Sequence, residues 1–187
     1  MHLPRSAEID RRSFLRTMAA TAAAGIPLVG RSEGSGALKL ALISAATYGT
    51  AGAPRTPGSN HGTAFATTFN GWDEEKAKLF RGTFVRSGRR LDAARVVKIW
   101  DPDKTAAQAL ADVCGIAMVT DSPEECSEGV DAVLIIDDGS GQQWKYAEHP
   151  LRKGVPTFCD KPLAMTAKEA ASVAKLVRQT RTRFMWQ

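Results

Sequence analysis

Val155-Pro156-Thr157-Phe158-Cys159-Asp160-Lys161-Pro162-Leu163-Ala164 is the stretch on which the fold turns. Its apolar run, Val155 to Cys159, is short enough for one buried strand. The run stops on an acid, a lysine and a proline, and the chain then enters Met165-Thr166-Ala167-Lys168-Glu169. Thr166 and Glu169 have the spacing of a capping box, in which each side chain satisfies an end amide that the helix cannot. A helix is therefore expected from that cap to about Thr180, with Ala167, Ala170, Ala171, Ala174 and Val177 on its packed face. Arg183 to Trp186 reads as the start of a further strand. A strand, a polar exit and a capped helix in that order form the repeating unit of an open parallel sheet, which presents its chemistry at the strand exits.

The same alternation runs back through the chain. Leu38 to Ser44 is a nearly continuous apolar run, as expected of a strand covered on both faces. A segment rich in Gly, Pro, Thr and Ser follows from Ala45 to Gly62. Helical spacing then starts near Thr63 and continues through Phe69, Trp72, Ala77 and Phe80. Arg95 to Trp100 is the second strand and ends at Asp101-Pro102-Asp103. The next helix, Lys104 to Val113, offers Ala106, Ala107, Ala109 and Leu110 to a sheet. Ala117 to Val119 is a short strand, Ser122 to Ser127 a brief helix, and Asp131 to Ile136 the fourth strand. The expectation is an α/β fold, a single Rossmann-like doubly wound parallel sheet with right-handed crossovers over residues 38–187.

Residues 1–37 read as an export leader. Asp10-Arg11-Arg12-Ser13-Phe14-Leu15-Arg16 follows the twin-arginine pattern, and the alanine-rich stretch Met18 to Val29 is too short to span a bilayer. Ser35-Gly36-Ala37 supplies the small residues that a signal peptidase reads. The expected location is periplasmic, or otherwise exported through the twin-arginine route, which carries proteins already folded and often loaded with a cofactor. Five arginines face three acids in this leader, leaving 20 basic and 17 acidic residues beyond it. No basic run with interleaved aromatics occurs there, which argues against a nucleic-acid partner. Cys114, Cys126 and Cys159 show no metal-ligand spacing, and no metal site is expected; a Cys114–Cys126 disulfide is compatible with an oxidising compartment.

Asp160-Lys161-Pro162 resembles the (E/D)KP signature that closes the nucleotide-binding half of the Gfo/Idh/MocA oxidoreductases, and the resemblance covers residues 38–187. It implies a nicotinamide dinucleotide cofactor, NAD or NADP, and a sugar-like or polyol substrate in the full-length form. It makes Lys161 the catalytic residue, set beside the nicotinamide and substrate, while Pro162 shapes the turn. Asp160 stands where the family has a glutamate. A lysine is a compact cation able to hydrogen-bond a substrate hydroxyl or polarise a carbonyl as hydride moves. A residue before proline is held extended, which aims its side chain out of the strand.

The departures are as informative. The turn Ser44-Ala45-Ala46-Thr47-Tyr48-Gly49-Thr50-Ala51-Gly52 lacks the G-x-G-x-x-G spelling; Ser44, Gly49 and Gly52 are the candidates for lining the cofactor's diphosphate, and Asn60-His61-Gly62-Thr63 can open the helix with free amides. Asp101 has two readings: acceptor of both adenosine-ribose hydroxyls, which favours NAD, or N-cap of the helix after it. Asp137 ends the fourth strand on the ligand side and can meet a ribose, with a capping or loop role as the alternative. Gln143 stands at the family's histidine position, and His149 is read as a surface helix residue.

The family's second, largely antiparallel domain, which completes the site and usually builds the oligomer, is missing from this chain, so a truncated sequence is expected. The reading is thus the nucleotide-binding half of an exported NAD(P)-dependent oxidoreductase. The alternative is a degenerate Rossmann module that binds a ligand or partner without catalysis.

Overall fold

The computed structural model describes residues 36–44, 46–47, 56–58, 60–137 and 141–187. Leu40 to Ile43 are all buried, as the unbroken apolar run requires, and they place strand β1 (Leu38–Ile43) at the centre of the sheet. On one side β1 pairs with β4 (Ala94–Trp100), which pairs with β5 (Met118–Val119). On the other it pairs with β6 (Ala132–Ile135), followed outward by β7 (Thr157–Cys159) and β8 (Phe184–Trp186). The order is β5-β4-β1-β6-β7-β8, and every pairing is parallel. A two-residue antiparallel ribbon, β2 (Ala46–Thr47) with β3 (Thr56–Pro57), lies between β1 and the first helix.

Parallel neighbours need crossovers, and these cover both faces of the sheet. Leu40 and Leu42 share one apolar cluster with residues of α1 (Asn60–Asn70), α2 (Glu74–Leu79) and α3 (Lys104–Cys114). Ala41 and Ile43 face the other, which contains residues of α4 (Pro123–Ser127), α5 (Gln143–Arg152) and α6 (Ala167–Thr180). The α/β, doubly wound Rossmann-like architecture is as the sequence implied. Among the described residues, no helix is long and apolar enough to cross a membrane.

Two expectations are corrected. The helical period from Thr63 to Phe80 is two helices, not one. The chain leaves α1 through Gly71 at φ 70°, and Asp73 then caps α2 by accepting from the amides of Glu75 and Lys76. In α6 the capping box and the end at Thr180 stand, but the buried residues are Val173 and Leu176, while Ala167, Ala171 and Ala174 are exposed. Alanine is equally at home on a solvated helix face, so the larger apolar residues decide which face packs. The possible Cys114–Cys126 disulfide does not form: all three cysteines are buried and free, and Cys114 lies under one face of the sheet while Cys126 lies under the other.

Asn70, the last residue of α1, completes the edge of β4. Its Nδ2 donates to the Val96 carbonyl at 2.9 Å, and the Val96 amide donates back to its Oδ1 at 2.9 Å. β5 pairs only with Lys98 and Ile99, so a side-chain amide stands in for the missing strand at Val96. Asn70→Ala strands both backbone groups in the interior and is expected to cost about 2–4 kcal/mol in denaturant unfolding. Asn70→Asp, which cannot donate, loses much of the same stability.

Burial pushes the Cys114 and Cys126 thiols up to about 12 from the ordinary 9.0. The unfolded thiol releases its proton near 9.0 while the folded one keeps it, so the unfolded state binds fewer protons between those values. Stability contributed by these thiols is full below pH 9 and falls as the pH climbs toward 12. Thermal melts across that range should show the decline, and it should be shallower in Cys126→Ala.

Candidate functional site

A parallel sheet brings all its strand exits to one edge, and this edge gathers the polar residues that follow β1, β4, β6 and β7. Ser44 follows β1 directly, with its amide bonded to the Trp100 carbonyl at 2.8 Å. Its φ of 77° is a left-handed conformation that glycine adopts freely and serine does not. The Ser44 hydroxyl donates to Asp101 Oδ2 at 3.0 Å, joining the exits of β1 and β4. Asp101 is 3% exposed, and its Oδ1 accepts from the Asp103 amide at 2.7 Å. The N-cap of α3 is Asp103, whose carboxylate accepts from the amides of Thr105 and Ala106. The capping alternative for Asp101 is thereby removed.

Asp137, fully buried, lies just past the end of β6. Its carbonyl accepts from Gln143 Nε2 at 3.0 Å, and Gln143 is itself fully buried at the first position of α5. Gln143 Oε1 is buried with no hydrogen-bond partner among the described residues. His149 lies near the end of α5, partly buried, with Nε2 3.5 Å from Glu128 Oε1. It sits in the last turn of α5 and is half-buried, so it is a helix residue as expected but not a fully exposed one.

After β7, Asp160 is fully buried, and its amide donates to the Ile135 carbonyl at 2.9 Å. Its Oδ2 is hydrogen-bonded to Nδ1 of His61, the second residue of α1. Asp160 Oδ1 is buried and has no hydrogen-bond partner among the described residues. Lys161, next in the chain, is exposed, and it joins Pro162 through a cis peptide bond. The Leu163 carbonyl accepts from the Trp144 amide at 3.0 Å, so the turn is tied to the start of α5 as well as to α1.

The structure thus brings Ser44 and Asp101 together and sets Asp137, Lys161 and Pro162 at exits of the same sheet edge. Gly49 and Gly52 lie outside the described residues. Two contributors went unread in the sequence: the His61–Asp160 contact and the Gln143 bridge to Asp137. His61 and Asp160 are 99 residues apart, and no local pattern marks either as the other's partner. Gln143 was noticed only through its position. Among the described residues, no group of three or more His, Cys, Asp or Glu side chains is placed to hold a metal ion.

Residues 47–187 match the oxidoreductase family with an NAD-binding Rossmann fold, the Gfo/Idh/MocA group. The chain belongs to that family. An inositol 2-dehydrogenase of Acidiphilium cryptum (strain JF-5) is 33% identical over 93 residues, 48% of this chain and 27% of that protein. The fold is shared with myo-inositol 2-dehydrogenase from Lactobacillus plantarum, at a TM-score of 0.58 and 14% identity, covering 81% of this chain and 36% of the other. It is shared too with scyllo-inositol dehydrogenase from Lactobacillus casei, solved with NAD(H) and scyllo-inositol, at a TM-score of 0.55 and 15% identity, over 80% and 36% of the two chains. The chain therefore spans about a quarter of the curated relative and about a third of the solved ones.

The Ser44–Asp101 contact gives a stability test. Ser44→Ala removes a hydrogen bond to a buried carboxylate and keeps a side chain in a left-handed conformation; a loss of about 2 kcal/mol is expected in chemical unfolding. Ser44→Gly loses the same bond but fits the backbone without strain, and should fall short of the alanine variant's loss.

Proposed function

We propose that residues 38–187 are the nucleotide-binding half of an exported NAD(P)-dependent oxidoreductase acting on a sugar or polyol. The observation that carries the reading is the convergence of Ser44, Asp101, Asp137 and the Asp160-Lys161-Pro162 turn on one sheet edge, beside the N-terminus of α1, in a member of an NAD-binding family. The residues present fit a dinucleotide. Among the described residues Gln143 Oε1 and Asp160 Oδ1 are buried acceptors without donors, the kind of atoms that a hydroxyl- and amide-bearing ligand satisfies. The positive end of α1 suits a diphosphate.

In this reading Asp101 accepts the hydroxyls of the adenosine ribose, which favours NAD over its phosphorylated form. Lys161 would hydrogen-bond the substrate oxygen, steadying the alkoxide from which hydride leaves and, in the reverse direction, polarising the carbonyl that receives it. Bound nicotinamide supplies the hydride acceptor. Sugar-like and polyol substrates are supported by the family and by the inositol dehydrogenases that resemble this chain. Export rests on the Arg11-Arg12-Ser13-Phe14-Leu15 pattern of the leader. The same leader makes the periplasm the compartment in which the nucleotide must be retained.

A second reading, a ligand-binding module without catalysis, is favoured by one feature: Asp101 already holds the Ser44 hydroxyl where a ribose would bond. Titration of the purified chain with NADH and NADPH separates the two. Saturable NADH binding with a rise in melting temperature is expected, weakened about tenfold or more in Asp101→Ala and less for NADPH. A cooperatively folded protein that ignores both nucleotides supports the second reading. Lys161→Ala should leave the melting temperature of the free protein nearly unchanged, since the side chain is exposed.

A further inference from the structure

We propose that His61 is a positioning residue for Lys161: it holds the Asp160-Lys161-Pro162 turn against the first turn of α1, making the helix start and the lysine turn one mechanical unit. Only the link to a bound nucleotide rests on the function proposed above; the linkage between the two segments does not.

The argument begins with periodicity. His61 and Phe65 are four residues apart and share one face of α1, while Phe158 and Asp160 are two apart and share one face of the β7 exit. The two pairs meet in register. Phe65 packs on Phe158 with ring centroids 5.5 Å apart, and His61 bonds Asp160 one helical turn toward the helix N-terminus. The aromatic contact presses the helix onto the sheet but is tolerant of sliding. A hydrogen bond between a ring nitrogen and a carboxylate oxygen is directional, and it fixes where along the strand the helix starts.

The burial of Asp160 makes that bond decisive. Its side chain is 1% exposed, whereas that of His61 is 37% exposed. Oδ1 has no partner among the described residues, so the carboxylate's hydrogen bonding falls to His61 at Oδ2. A buried carboxylate deprived of that donor is driven toward water, and swinging outward the turn that carries Lys161 would expose it. Two backbone bonds also tie this turn, from the Asp160 amide to the Ile135 carbonyl and from the Trp144 amide to the Leu163 carbonyl, but they flank Lys161 and neither is made by Lys161 itself.

Hydrogen–deuterium exchange on the full chain tests this without a ligand. His61→Ala should speed exchange about tenfold in peptides covering 157–164 and in the first turn of α1, with distant strands unchanged. His61→Asn carries a side-chain N–H donor at the same number of bonds from Cα as imidazole Nδ1, and should restore slow exchange in both segments. His61→Gln, with its donor one carbon further out, should not, and this pair of variants decides the matter should His61→Ala fail to fold. With NADH present, wild type should gain protection in both segments together, whereas His61→Gln should gain it at the α1 start alone.

Unchanged exchange over 157–164 in His61→Ala, or equal behaviour of His61→Asn and His61→Gln, overturns the proposal. A wild-type protein that NADH does not protect anywhere counts against the nucleotide-binding function, while the ligand-free comparison of variants still decides the role of His61.

Discussion

The pairing of β1 on both of its edges is the constraint from which the rest of this structure follows. With β4 on one side and β6 on the other, its backbone groups are consumed, and its side chains, buried on both faces, must be covered by helices above and below. Parallel neighbours then force every strand to exit at the same edge. Ser44, Asp101, Asp137 and Asp160 come from four strands spread over more than a hundred residues, yet they reach that edge because the central strand leaves no other arrangement.

Such an edge concentrates carboxylates, and their cost has to be met locally. Asp101 is held by the Ser44 hydroxyl and the Asp103 amide, and Asp160 by His61. Gln143 attaches the start of α5 to the Asp137 carbonyl. Each tie spans two elements, so the polar residues that line the edge also fix the angles at which helices meet the sheet. Buried oxygens of Gln143 and Asp160 are without donors among the described residues.

At the exit of β1 a serine takes a backbone conformation usually left to glycine. A left-handed backbone conformation at this point is what a glycine normally supplies. Here a serine adopts it: its Cβ makes the conformation costly, while its hydroxyl reaches Asp101.

Periodicity and strand exits were legible in the chain itself. The apolar runs determined which segments are strands, the Thr166–Glu169 box determined where the last helix begins, and their alternation determined a parallel, doubly wound sheet. Asp101 and Lys161 could be singled out because strand ends are local features. What the tertiary structure alone decided depends on contacts between distant segments: that α1 stops at Asn70 to complete β4, that Val173 and Leu176 rather than the alanines face the core, and that the cysteines lie on opposite faces. The His61–Asp160 contact belongs with these. A local pattern records which backbone conformation a segment favours, but a hydrogen bond across 99 residues exists only after the sheet has set two strangers side by side.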